Sequence, residues 1–221
     1  FVVDNVFMQK YWDRNQPSFS TGQIELQNHG NNLYFRNVYL KEIPRKGLAR
    51  PLFNGRDLAG WEQVGGAPGN WAIENGVLYT TGKGGGWLST VETFDDFDLS
   101  LDFRVPANGN SGVFLRTPRQ GDPAYVGMEI QVLDDYADMY AKLQPFQYTG
   151  SIYGLPAPSS RVSRHVGEWQ TMRIRCEGPH VQVWLNGQLL ADTSQLVGME
   201  RFFRFDISDV AKLKGNNTLA I

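Results

Sequence analysis

Asp98-Leu99-Ser100-Leu101-Asp102-Phe103-Arg104-Val105 alternates strictly between apolar and polar residues. Leu99, Leu101, Phe103 and Val105 fall on one face, which is the period of a strand with one buried side. His180-Val181-Gln182-Val183-Trp184-Leu185 repeats the pattern and runs into Asn186-Gly187. Asn-Gly readily takes the φ > 0 conformations of a two-residue hairpin turn. Asn75-Gly76 gives the same signal between Trp71-Ala72-Ile73 and Val77-Leu78-Tyr79. Short strands separated by such turns predict an all-β, antiparallel β-sandwich of two sheets.

Working outward, Gly22 to Gly30 and Leu33 to Leu40 read as strand, turn, strand. Pro44 to Arg50 is a short basic connector, and a new unit starts at Pro51-Leu52-Phe53-Asn54-Gly55. Gly65 to Asn70, Gly82 to Gly86 and Leu155 to Ser160 read as loops. Helix signals are few: Asp134 to Gln144 has room for a turn or two, and Ser208 to Leu213 for a short one.

Composition narrows the function classes. With 41% hydrophobic and 20% charged residues, the 221-residue chain is ordinary for a globular protein. A formal net charge of -2 gives no electrostatic reason to expect a nucleic-acid partner. No apolar run reaches the roughly 18 residues of a membrane helix, so no membrane insertion is expected. Cys176 is the single cysteine, which excludes an intrachain disulfide and a cysteine-based zinc site. It alternates with Met172 and Ile174 and reads as a buried strand thiol. Phe1 is not an initiator methionine, compatible with removal of a leader.

The candidate chemistry lies between Asn110 and Tyr153. Asn110-Ser111-Gly112-Val113-Phe114-Leu115-Arg116 and Gly127-Met128-Glu129-Ile130-Gln131-Val132-Leu133-Asp134 are two strand-like runs with polar groups on one face. Glu129 and Gln131, two apart, point the same way on a strand. Glu129 suits proton transfer or acceptance from a hydroxyl, whereas Gln131 can only orient a ligand. Arg116 offers five donors to vicinal hydroxyls, a carboxylate or an enolate-like oxygen, or else forms a structural ion pair with Asp102 or Asp134. Asp134 and Asp135 stand where a loop begins. Paired carboxylates there can hold a divalent metal ion or split acid and base roles, although their spacing matches no calcium loop and Asp is also a common turn former.

His29 follows Gln27 at a strand end and suits a base or ligand as well as a turn hydrogen bond. Trp87, after three glycines, is placed to stack on a pyranose ring. Tyr148 and Tyr153 flank Thr149-Gly150 and could line a pocket. Ser111 is next to Gly112, but no Gly-x-Ser-x-Gly elbow exists. A row of Arg116, Glu129 and Gln131 on a sheet face reads as a sugar-facing surface, with Gln131, Asn110, Ser111, Trp87, Tyr148, Tyr153 and Gln27 as its binding residues.

Several motifs in order resemble the 3-keto-disaccharide hydrolase domain family of bacterial secreted proteins. They are Leu52 to Trp61, Asn110 to Arg116, Glu129 to Asp134, Thr149-Gly150-Ser151-Ile152-Tyr153, Gly167-Glu168-Trp169-Gln170 and Trp184-Leu185-Asn186-Gly187. The resemblance implies a concanavalin A-like jelly-roll sandwich, a periplasmic or extracellular location, a carbohydrate ligand and cleavage of a 3-keto glycoside. The C3 ketone acidifies the C2 hydrogen; a base removes it, the C1 substituent leaves, and the enone is hydrated. Glu129 or Asp134 would then move the proton, and Arg116 with His29 would face the oxygen, aided by a divalent metal if one is bound. A non-catalytic carbohydrate-binding module of a larger secreted enzyme, or a purely structural domain, would use the same fold.

The order of the motifs departs from the family. Leu26-Gln27-Asn28-His29-Gly30 and Phe35-Arg36-Asn37 resemble its last two strands but come first here. Phe1-Val2-Val3-Asp4 also resembles Leu189-Leu190-Ala191-Asp192. Residues 1–43 thus read as tail strands, 51–196 as the main jelly-roll body, and 197–221 as an atypical end similar to the closing motif of some glycosidase jelly rolls. Circular permutation, excision from a tandem-domain protein, and strand exchange with a partner chain all explain this; completion of the sandwich within the chain is favoured, because unpaired sheet edges are hazardous.

Overall fold

A computed structural model describes residues 21–43, 48–118, 123, 127–154 and 160–193. The readings on Phe1 to Asp4, on Ser208 to Leu213 and on the 197–221 segment fall outside these residues. What is described is a two-sheet, antiparallel β-sandwich of the jelly-roll type. The strands are β1 (Gln23–Gln27), β2 (Tyr34–Glu42), β3 (Arg50–Pro51), β4 (Trp61–Val64), β5 (Trp71–Glu74), β6 (Val77–Thr80) and β7 (Trp87–Thr90). After these come β8 (Phe97–Arg104), β9 (Asn110–Thr117), β10 (Met128–Leu133), β11 (Trp169–Glu177), β12 (His180–Leu185) and β13 (Gln188–Asp192).

The smaller sheet has the order β10-β9-β1-β7-β4, and the larger β13-β12-β11-β8-β2-β6-β5 with β3 added on β2. β1 lies between β9 and β7, and β2 between β8 and β6, so the first two strands each fill an interior slot, one in each sheet. Both predicted Asn-Gly turns form. Asn75 and Asn186 take φ of 52°, which asparagine tolerates better than most residues.

The core lies between the sheets. Leu99, Leu101 and Phe103 from β8, with Val105 just past its end, meet Ile24 and Leu26 from β1 in one cluster with Val113, Leu115, Ile130 and Val132. Cys176 joins them, fully buried. Its burial pushes the thiol from an ordinary 9.0 up to about 12. The stretch from Asp134 to Gln144 holds a single 3₁₀ turn (Asp138–Tyr140), followed by a second at Pro145–Gln147. No helix among the described residues is long and apolar enough to cross a membrane.

Candidate functional site

Alternation along β10 sends Met128, Ile130 and Val132 into the core and turns Glu129 and Gln131 to the opposite face. Glu129 stands opposite Phe114, Phe114 opposite Glu25, Glu25 opposite Ser89, and Ser89 opposite Glu62. One straight row thus crosses all five strands of the smaller sheet, with three carboxyl groups in it. A second row, nearer the sheet end, runs from Gln131 through Gly112 to Gln27, Trp87 and Val64. Asn110 begins β9 at the same end and accepts a 3.4 Å hydrogen bond from Gln131.

Burial is graded along this face. Gln23, Glu25, Ser89 and Gln131 are almost fully buried, whereas Glu129, Gln27, Trp87 and Asn110 are half-buried. Two local features shape it. A Cβ on Gly112 would collide with the Glu129 carboxylate, so glycine leaves the space over which that side chain lies. Around Trp87 two glycine loops close on each other: a Cβ on Gly86 would strike the Gly65 backbone, and Asn70 ties the loops by a 2.6 Å hydrogen bond to the Gly85 carbonyl. The ring of Trp87 lies against Gly65. Its indole N–H is shut away from solvent and makes no hydrogen bond among the described residues.

His29 is exposed in the turn after β1, beyond Gln27. The turn is held by Asn28, which donates to Lys83 O at 3.2 Å and accepts from Gly30 N at 3.1 Å. Tyr153 reaches the Glu129 row from the segment after the second 3₁₀ turn. Its N–H donates to the Glu129 carbonyl at 2.9 Å, and its hydroxyl accepts from Gln147 at 2.6 Å.

The remaining sequence candidates are held in structural contacts. At Arg116 a β-bulge puts the backbone in the left-handed region, φ 51°. The guanidinium turns to Asp96 at 2.9 Å, Asp95 O at 3.0 Å and the Gly178 carbonyl at 2.7 Å, which ties the smaller sheet to the β11–β12 turn. Its carboxylate partner is Asp96, where the sequence suggested Asp102 or Asp134. Asp134 is buried and accepts from Asn108 N at 2.9 Å and Tyr136 N at 3.3 Å. Asp135 clamps Thr149 and Ser163. Ser111 shares the core side with Val113 and donates to the Gln27 carbonyl at 2.8 Å. Tyr148, 2% exposed, donates to the Tyr140 carbonyl, and Arg161 covers its ring at 3.6 Å, so it forms a loop pillar, not a pocket wall. Desolvation, and then the Asp134 charge, raise the Tyr140 phenol above its ordinary value; it remains a donor, to the Asn108 carbonyl.

Among the described residues no three His, Cys, Asp or Glu side chains converge to hold a metal ion. Asp134 and Asp135 spend their oxygens on loop N–H and hydroxyl groups, so they do not fit the metal-pair reading. Sequence reasoning missed Glu25, Ser89 and Glu62. Their period-2 placement was legible, but their shared row depends on long-range register.

The family model of the 3-keto-alpha-glucoside-1,2-lyase-like domain matches residues 48–204. A Bacteroides thetaiotaomicron protein named 3-keto-disaccharide hydrolase is 29% identical over 146 residues, 56% of this chain and 50% of that protein. The chain thus spans about half the length of that curated relative. Two solved structures of candidate glycosyl hydrolases from Parabacteroides distasonis share the fold. One has a TM-score of 0.55 at 29% identity, covering 65% of this chain and 70% of that one; the other has 0.54 at 27%, covering 65% and 71%. By the family match, which takes in most of its sandwich, this chain belongs to the 3-keto-alpha-glucoside-1,2-lyase-like domain family.

Proposed function

We propose that the chain is a secreted carbohydrate-active enzyme that cleaves a 3-keto glycoside on the outer face of its smaller sheet, by elimination followed by hydration. The observation that carries this reading is the row Glu129–Phe114–Glu25 with its neighbour row Gln131–Gly112–Gln27–Trp87, a buried polar strip where a sheet could have been apolar. Elimination needs a base at the C2 hydrogen, an acid at the departing oxygen, and donors at the enolate oxygen. Glu129, half-buried and lying over Gly112, takes the base role. Glu25, two strand spacings away (about 9.5 Å between backbones), is the second carboxyl group of the row and the acid candidate. The amides of Gln131, Gln27 and Asn110, with His29 at the rim, supply the donors. Trp87 stacks on the sugar. Arg116, Asp134, Ser111 and Tyr148 hold the framework and are given no part in the reaction.

Incubating the purified chain with a 3-keto disaccharide and with its unoxidised parent, with and without EDTA, tests this. Release of reducing sugar from the keto sugar alone is expected. Binding without release would move the chain to the binding-module reading.

A further inference from the structure

The outer face of the larger sheet carries a different constellation. Tyr34 stands opposite both Tyr79 and Arg104, and Arg104 opposite Trp169. Tyr79, Tyr34, Arg104 and Trp169 therefore form one line across β6, β2, β8 and β11, about 14 Å long over three strand spacings. The two tyrosine rings stack with centroids 5.8 Å apart. The Arg104 guanidinium lies 4.3 Å over the Tyr34 ring and 5.1 Å from that of Trp169.

Two more arginines converge on the same tryptophan. Arg36 covers its ring at 3.9 Å, and Arg164 donates to its carbonyl at 2.9 Å. Asp102 is the carboxylate partner of Arg36, and it accepts from Arg36, Asn37 and Thr171 at 3.4, 2.8 and 2.7 Å. Among the described residues the Arg104 guanidinium makes ring contacts but no hydrogen bond or ion pair. A guanidinium stacked on aromatic rings is already ordered and keeps its N–H edge for a planar anion. The aromatic face of Tyr79 suits the C–H face of a sugar ring.

We propose that the strip Tyr79–Tyr34–Arg104–Trp169 is a second carbohydrate-binding surface that takes an acidic polysaccharide. Arg104 grips a uronate carboxylate, Tyr79 supports an adjoining ring, and Trp169 holds the arginines in place. The length of the strip suits a short stretch of glycan better than a single ring. The local excess of arginine favours an anionic chain, and the net charge of -2 on the whole protein disfavours nucleic acid.

The test is calorimetric titration of the full chain with oligogalacturonate, with a neutral oligosaccharide of equal length, and with short duplex DNA, at two salt concentrations. Oligogalacturonate should bind, more weakly at high salt. R104Q should bind it about tenfold or more weakly, E129Q as the native chain does, and the neutral sugar should bind far less. R104K keeps the charge but loses the fork and should fall between; it serves where R104Q fails to fold. No binding of oligogalacturonate, native-like binding by a folded R104Q or R104K, or equally tight binding of DNA would overturn the proposal.

Discussion

The two outer faces of the sandwich obey the same alternation but use it differently. On the larger sheet the polar side chains around Asp98, Arg175 and Asp192 face water and are matched locally. Asp98 pairs with Arg173 and Arg175, Glu177 with Arg175, and Asp192 with His180. On the smaller sheet Glu25, Gln131 and Ser89 are almost fully buried. Burying a polar group costs free energy unless it is hydrogen-bonded, and burying a charge costs more. An apolar strip would serve stability better there. That paired region is what solubility asks of a sheet, and the buried strip is what a binding site asks of one.

The largest effect that could break this contrast is kinetic. E129Q should lower turnover of a 3-keto disaccharide by about 10²–10⁴-fold, measured as reducing-sugar release, while leaving the melting temperature nearly unchanged. Loss of stability without loss of turnover would make Glu129 a framework residue. The core beneath both faces should be next. Phe103→Ala should cost about 3–5 kcal/mol and lower Tm on the order of 10 °C in a thermal scan, for either face equally. Gly112→Ala sharpens the contrast from the backbone side. Its Cβ should displace the Glu129 carboxylate and reduce turnover by about tenfold or more, more than its loss of stability explains.

Cys176 gives a pH-dependent check on burial. Its folded pKa, about 12, lies above the ordinary 9.0, so the folded state holds the proton longer than the unfolded chain. The contribution to stability is complete below pH 9 and is lost as pH rises through 9 towards 12. Thiol labelling near pH 8 should therefore require denaturation; rapid labelling of native protein would contradict the buried placement. The smallest effect belongs to the solvated face. Asp98→Asn should change stability by less than about 1 kcal/mol in denaturant titration and leave turnover alone.

Local rules made much of the fold legible. The alternation of Leu99, Leu101, Phe103 and Val105 and the turns at Asn75-Gly76 and Asn186-Gly187 depend on neighbours in sequence. The shared face of Glu129 and Gln131 follows from the same period. What sequence could not supply was register between distant strands. Glu25 enters the Glu129 row only because β1 lies between β9 and β7, and nothing local to Gly22 to Gly30 says so. At Arg116 a single bulge turns the side chain to Asp96, which no local pattern signals. Asp134 and Asp135 looked available because the loop N–H groups they capture come from Asn108 and Thr149, far along the chain.

Proton exchange at the sugar's C2 position tests the central claim most directly. In deuterated water, the native chain should replace the C2 hydrogen of a 3-keto glycoside with deuterium or eliminate its C1 substituent, followed by NMR, and E129Q should do neither. Retention of the C2 hydrogen by the native chain throughout cleavage, or an unchanged rate of exchange in E129Q, would contradict proton removal by Glu129 on the smaller sheet.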